Sequence, residues 1–427
     1  MMATRRRFLR DAGWAAAPLV VPASVLGRGA AVAPNSRVTL GCIGVGGMGT
    51  GNVQSFLGDE RVEVVALCDV DRGHLRTALA AASLPEGAGT GDFRELIARK
   101  DIDAVMVATP DHWHALIAVA AARAGKDLYA EKPLAASIQE GRRVSDVVRE
   151  RKRVLQCGTW RRSSQHTRRA CEWVRNGIIG ELRRIEVGVP AKFAIRGEYT
   201  GMEKPEPEPE GFDYAMWTGP APEASYTAAR CHFNFRWVAD YAPGYITDWG
   251  AHFLDVAQWG NGTDATGPVE VVAEDVRKRE RGIYDAPEGF RIRYAYATGV
   301  ELVMSSTENA EEWGTKFVGS EGWIFSENDK LAAYPKSVLT AAIPENGVRL
   351  YESKNHHLNF IDCVLTRGET AAPAETAHRA ASVCYLGAIA ARLGRALRFD
   401  PESEAFPGDD EANALLARPM REPWILI

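Results

Sequence analysis

The 427-residue chain is poor in several features that would have pointed to particular classes of protein. No apolar run is long enough to span a bilayer, which takes about 20 residues. The nearest approach, from about Ala12 to Leu26, is interrupted by Pro18 and Pro22. Charge of one sign is not in excess: 51 Lys and Arg against 56 Asp and Glu leave a net −5. No Lys/Arg stripe interleaved with aromatics runs through the chain, which argues against a nucleic-acid partner. The seven cysteines (42, 68, 157, 171, 231, 363 and 384) form no CxxC pair, and their odd number cannot pair fully within one chain. Cys42, Cys68 and Cys157 lie in apolar runs that read as strands, so they are expected to be buried thiols and not a disulfide framework. No repeat of 20 to 50 residues is visible. What is present, 46% apolar and 25% charged residues, fits a globular chain of two or three domains.

The N-terminal 35 residues stand apart. Thr4, Arg5, Arg6, Phe8 and Leu9, followed by the short apolar stretch, fit a twin-arginine export signal. The alternative is a basic amphipathic helix. No cysteine follows to carry a lipid, and the best small-residue cleavage pattern, Ala31 to Ala33, is followed by Pro34.

From residue 36 to 158, short apolar runs alternate with helical patterns: VTLGCIGV, a helix to Leu57, VEVVALC, a helix over 72–82, DAVMVA, a helix over 114–124, DLYA, a helix to about Arg151, and RVLQCG. This alternation predicts an α/β Rossmann domain, a doubly wound parallel sheet. Residues 159–355 carry strand-like runs (RRIEVGV, VEVVAEDV, FRIRYAYA, VELVMSS, TKFVGSEGWIF) and one strong helix at 248–259. They predict a substrate-binding α/β domain on a mostly antiparallel, open sheet. Residues 356–427 are expected to form helices across the domain junction and a wrapping tail.

Gly44, Gly46, Gly47, Met48 and Gly49 lie in a GxGxxG pattern that follows the first strand and opens a helix. In that setting the glycines allow a tight turn and close approach of the backbone, and free N–H groups at the helix start can meet a pyrophosphate. Asp69, ending the second strand, is placed to accept hydrogen bonds from the adenosine ribose hydroxyls. Its charge would repel a 2′-phosphate, so NAD is expected over NADP.

Ligands of an open parallel sheet sit beyond the carboxyl ends of its strands. Thr109, Pro110, His112 and His114 in ATPDHWHA, with Glu131, Lys132 and Pro133 in YAEKPLA, therefore belong at the nicotinamide edge. A cation at a helix start is electrostatically unfavourable, which argues that Lys132 serves a function. A second Glu-Lys-Pro, residues 203–205, lies in the acidic, proline-rich GMEKPEPEPEG and reads as a solvated loop. The pairs His112/His114 and His356/His357 have no third ligand nearby in sequence, and no metal site is assigned. In TDWGAHFLDVAQW, helical spacing puts Asp248, His252, Asp255 and Trp259 on one face, with Thr247 or Asp248 as cap. An exposed polar face is the ordinary explanation; a histidine one turn from an aspartate also suits a positioned acid/base.

These motifs together (GVGGMG, DHWHA, AGKDLYAEKPLA, DWGAHFLD and the GSEGW turn) make the chain resemble the Gfo/Idh/MocA oxidoreductases, the glucose-fructose oxidoreductase and inositol dehydrogenase family, in an exported twin-arginine subgroup. The resemblance runs from Arg37 nearly to the C-terminus. It implies a catalytic lysine at Lys132, an aspartate–histidine pair at Asp248 and His252, and a homo-oligomer built through the C-terminal sheet. Family members often carry a glycine run before that aspartate, where this chain has Pro243, Gly244 and Tyr245, which implies a bulkier pocket wall.

The expected activity is oxidation or reduction of a secondary hydroxyl on a sugar, sugar derivative or cyclitol. His252 is the expected base, Lys132 the partner of the alkoxide and Asp248 the orienting group; Arg236, Trp237 and Tyr241 are expected to line the substrate site. Export favours a tightly held cofactor restored in each cycle, outside the cytoplasm. The alternative using the same residues is glycoside hydrolysis by transient oxidation and elimination. A small-molecule substrate and no membrane span complete the expectations.

Overall fold

The computed structural model describes residues 37–328 and 330–426. The expected export signal lies outside the described residues.

The first sheet has six parallel strands: β1 (Val38–Ile43), β2 (Val62–Cys68), β3 (Gly89–Thr90), β4 (Ala104–Val107), β5 (Asp127–Ala130) and β6 (Leu155–Cys157), in the order β3-β2-β1-β4-β5-β6. β4 and β5 are buried at every position, as strands covered on both faces must be. The crossovers carry α1 (Gly47–Leu57), α2 (Arg72–Ala81), α3 (Phe93–Ala98), α4 (Asp111–Arg123) and α5 (Ile138–Glu150). Local chemistry fixes several starts: Asp71 accepts hydrogen bonds from the Gly73 and His74 amides to cap α2, and Ser137 caps α5. The two-residue β3 and six-residue α3 carry too few residues for a periodic signal, and the sequence pattern passes over both.

The second sheet has eight strands: β7 (Leu182–Pro190), β8 (Glu270–Arg277), β9 (Gly289–Ala295), β10 (Glu301–Thr307), β11 (Gly314–Gly319), β12 (Trp323–Glu327), β13 (Lys330–Tyr334) and β14 (Leu397–Arg398). Their order is β13-β12-β11-β7-β10-β9-β8-β14; β7 and β10 run parallel and every other pair is antiparallel. One face packs on α6 (Gln165–Arg175), α8 (Gly250–Asn261) and α10 (Ala374–Leu393), and the short α7 (Tyr214–Thr218) lies in the connection between β7 and α8. Along β7, Ile185 and Val187 point into that core, while Arg184 and Glu186 alternate to the other face. There a ladder of ion pairs forms, including Arg184–Glu186 at 3.3 Å, Arg293–Glu274 at 2.9 Å and Lys316–Glu186 at 3.4 Å.

The C-terminal segment serves both cores. Phe360 and Ile361 of α9 (His356–Thr366) pack with Val38, Leu40 and Tyr129 of the first sheet and Phe56 of α1, while Val383 and Leu386 of α10 join the second core. The tail then returns to the first domain, where the Trp424 ring meets Trp113 at 4.7 Å between centroids.

α8 departs from expectation. It begins at Gly250, and neither Thr247 nor Asp248 caps it. Its polar face is not exposed: Asp255 is fully buried, with its carboxylate 2.8 Å from Arg162 Nε, and Trp259 is buried as well. Arg162 also reaches Asp264 at 2.7 Å, so a buried ionic triad replaces the solvent that an amphipathic face would meet.

Candidate functional site

The glycine loop is shaped by close backbone approach. Gly44 has φ +78°, and a Cβ there would lie 2.7 Å from the Ala108 carbonyl carbon and the Thr109 nitrogen. A Cβ on Gly49 would lie 1.9 Å from the Gly44 oxygen, so only glycine lets α1 seat this closely against the turn. Gly46 occupies the N-cap with no side-chain bond, and a Cβ on Gly47 would meet nothing within 4 Å. The helix start thus offers free amides to open space, with Met48 exposed beside it. Asp69 follows β2 with Oδ2 accepting from the Val45 amide at 2.8 Å and Oδ1 accepting from the Asp71 amide at 2.9 Å. Burial raises its pKa, against those two bonds and nearby His74. Carboxylate oxygens retain further acceptor sites, so Asp69 both pins the loop and can receive ribose hydroxyls. These residues fit a dinucleotide.

Beyond the carboxyl ends of β4 and β5, His114 ties two loops together. Its Nδ1 lies 2.6 Å from the Pro133 carbonyl oxygen and its Nε2 lies 2.8 Å from that of Thr109. Burial lowers its pKa while the two carbonyls oppose the shift. Glu131 is buried, and its Oε1 accepts from Asn52 Nδ2 at 2.9 Å. Asn52 Oδ1 lies 3.0 Å from His357 Nε2. A chain from α9 through α1 therefore sets the loop that presents Lys132. Gly158 leaves room for it: a Cβ would come within 2.7 Å of the Glu131 carboxylate. Asn52 and His357 escape sequence reasoning because they are separated by 305 positions.

Lys132 Nζ donates to Asp248 Oδ1 at 2.7 Å and to the Asp248 carbonyl at 2.6 Å. Arg236 Nε donates to the same Oδ1 at 3.1 Å. Burial pushes the Asp248 carboxyl up, but Lys132 and Arg236 outweigh it and hold the pKa at about 2. Asp248 thus engages two cations and not His252, because it stands in the turn before the helix, where one-turn helical spacing is not yet set. His252 Nδ1 is buried and has no hydrogen-bond partner. Burial, then the charges of Arg161 and Lys132, hold its pKa well below the ordinary histidine value, so the ring is neutral and able to accept a proton. Asp111, the first residue of α4, is a buried carboxylate within the electrostatic reach of Arg236, Lys132 and Asp248. Burial raises its pKa to about 7 against the two cations. Sequence reasoning passed over it as one more residue of the strand-to-helix turn.

Other expected residues fall elsewhere. His112 is fully buried, its Nε2 3.0 Å from the Trp217 carbonyl oxygen, and burial lowers its pKa to about 3. Trp237 stacks on Phe193 at 4.6 Å, and Tyr241 packs against His112 at 4.8 Å and Trp217 at 5.0 Å. Those two rings belong to the aromatic core beneath the site; of the expected trio only Arg236 reaches the charged cluster. Thr109 and Pro110 form the turn into α4. His356 is held by Ser163 and the Cys157 carbonyl, each at 2.7 Å. Asp71, His74 and His232 offer ligand atoms within 4.8 Å of one another beside Asp69, but Asp71 Oδ1 is engaged in capping α2. No helix among the described residues is long and apolar enough to cross a membrane.

Comparison with known proteins agrees with this layout. Residues 38–159 match the family described as "Oxidoreductase family, NAD-binding Rossmann fold", and residues 164–426 match "Oxidoreductase family, C-terminal alpha/beta domain". A sequence search of curated proteins finds no match. Among solved structures, GenD2 from gentamicin A biosynthesis, in complex with NAD, is 19% identical with a TM-score of 0.63, covering 86% of this chain and 97% of its own. The aldose-aldose oxidoreductase from Caulobacter crescentus, complexed with glycerol, is 18% identical with a TM-score of 0.62 over 85% of this chain and 100% of its own. A levoglucosan dehydrogenase in complex with NADH and levoglucosan is 18% identical with a TM-score of 0.62 over 85% and 99%. At these identities the likeness is one of fold. With both of its halves matched in sequence, and with a glycine loop and Lys132 site that fit a nicotinamide dinucleotide, the chain belongs to the Gfo/Idh/MocA family of oxidoreductases.

Proposed function

We propose that the protein oxidises or reduces a secondary hydroxyl of a sugar, sugar derivative or cyclitol with NAD. The observation that carries this reading is the half-buried His252, its Nδ1 buried without a partner and its pKa held low by burial and by the charges of Arg161 and Lys132, together with a Lys132 ammonium fixed on Asp248. A bound nicotinamide supplies hydride exchange at the substrate carbon. The chain's own groups handle the oxygen: His252 accepts the hydroxyl proton, Lys132 stabilises the developing alkoxide, and Asp248 with Arg236 holds Lys132 in place. The levoglucosan and aldose enzymes of the same fold support the choice of a carbohydrate. Asp69 favours NAD over NADP, since its carboxylate would face a 2′-phosphate. The twin-arginine pattern supports export from the cytoplasm with the cofactor firmly held, and the open face of the second sheet supports self-association.

The first test is the cofactor content of protein purified by gel filtration, with calorimetry of added NAD and NADP. Release of no nicotinamide on denaturation, together with no heat of NAD binding, would remove the reading. Asp69→Ala should weaken NAD and relax the preference; an unchanged preference excludes Asp69 from the site.

Glycoside cleavage through transient oxidation is a second reading, favoured by one observation. Asp111 offers a further proton acceptor, with a pKa of about 7, beside Lys132. Cleavage in D₂O would leave deuterium on the carbon next to the oxidised one, and simple oxidoreduction would not.

A further inference from the structure

Trp160 opens the short 3-10 turn Trp160–Ser163 just after β6, at the carboxyl edge where ligands of this sheet sit. It is 37% exposed, although Thr159, Arg161 and Arg162 around it are all buried. Among the described residues it is the only tryptophan with an exposed side chain; Trp113, Trp173, Trp217, Trp237 and Trp259 are buried. Packing does not force the indole outward, because the turn that carries it is otherwise part of the core.

The indole is firmly held. The Arg161 guanidinium lies over its ring at 4.8 Å and also over Phe253 at 4.5 Å, and Arg161 Nη2 donates to Glu327 at 2.8 Å. The edge of His252 meets the indole at 6.0 Å between centroids. Two buried nitrogens next to it, Arg161 Nε and His252 Nδ1, have no hydrogen-bond partner. Buried polar atoms are nearly always satisfied, so such orphans point to a ligand that brings acceptors and donors of its own.

We infer that Trp160 is the stacking platform for the substrate ring, and that the ligand it takes is a pyranose or cyclitol presenting one face of C–H groups. The π face of an indole is electron-rich and attracts weakly positive C–H hydrogens, while the hydroxyls around the ring's edge remain free for the polar groups. A ring lying on Trp160 sits beside His252, so the platform selects which face of the sugar meets the base. This inference rests on the carbohydrate reading above.

The test uses cofactor-loaded protein and three probes: D-glucose, N-acetyl-D-glucosamine and myo-inositol. Binding is read by saturation-transfer NMR, and turnover by separate kcat and KM for any probe that reacts. Trp160→Ala should weaken binding and raise KM about tenfold while kcat stays within about twofold, and Trp160→Phe should restore most of the loss. Saturation transfer should be strongest at ring C–H protons of one face. Wild-type protein that binds a probe no better than Trp160→Ala does would overturn the platform while leaving the carbohydrate reading in place. So would a fall in kcat at constant KM, which marks a structural effect through His252. Failure of the wild type to bind any of the three probes would overturn both.

Discussion

The tripeptide Glu-Lys-Pro occurs twice, and its two copies behave as unlike groups. At residues 131–133 the glutamate is buried against Asn52, and the lysine is fixed between the carboxylate and carbonyl of Asp248. At residues 203–205 the glutamate closes a turn, accepting from the Thr200 amide at 2.6 Å and the Gly201 amide at 2.8 Å, and Lys204 is exposed. The same side chains become a buried, cross-linked cluster in one place and a solvated turn in the other. The difference lies in what precedes each: β5 delivers the first copy to the edge of a parallel sheet, and an irregular loop carries the second.

The strongest way to break this contrast is to truncate both lysines. Lys132→Met should lower kcat by about 10² to 10⁴, the range typical of groups that assist proton transfer, while Lys204→Met leaves turnover unchanged. Equal losses would show that environment does not separate the two copies.

A pH titration of stability sharpens the contrast next. The Asp111 carboxyl near Lys132 is raised to about 7, above the unfolded value of about 3.9, so the folded protein holds a proton that the unfolded chain releases. The stability this gives is present below about pH 4 and is lost as pH rises through about 7. Asp111→Asn removes that dependence. Its advantage in denaturant melts should grow by about 2 to 4 kcal/mol between pH 4 and pH 8. A constant difference across that range would contradict the raised pKa.

Packing gives a smaller effect. Gly158→Ala drives a methyl group to within 2.7 Å of the Glu131 carboxylate and should cost about 1 to 3 kcal/mol in urea unfolding, with a fall in activity. An unperturbed variant would mean that Glu131 is free to move. The least effect is expected at the second copy, where Glu203→Ala removes turn bonds at the surface and should cost about 0.5 to 1 kcal/mol with no change in kcat.

Much of the architecture was legible because it rests on local periodicity. The Gly44–Gly49 loop, Asp69 and Lys132 could be placed from the alternation of strands and helices alone. For Asp248, helical spacing suggests His252 as its partner, whereas the chain has not yet entered the helix there and two distant cations, Lys132 and Arg236, hold the carboxylate. Trp237 and Tyr241 show a second limit. Aromatic residues near a site in sequence look like pocket walls, and only the packing of Phe193, His112 and Trp217 around them reveals core. Asn52 and Trp160 left no pattern at all, since each acquires its meaning from residues brought near by folding.

Phe360 and Ile361 complete the core beneath β1 and β5, which has a consequence for biosynthesis. A ribosome that has finished the first sheet has released a domain with an uncovered side, and that side stays bare until some 200 further residues have followed. The nucleotide-binding half therefore cannot mature first and wait for the other. Both halves reach their final form together, late in translation, and any premature stop before residue 360 should yield a chain for chaperones and proteases instead of a stable dinucleotide-binding fragment.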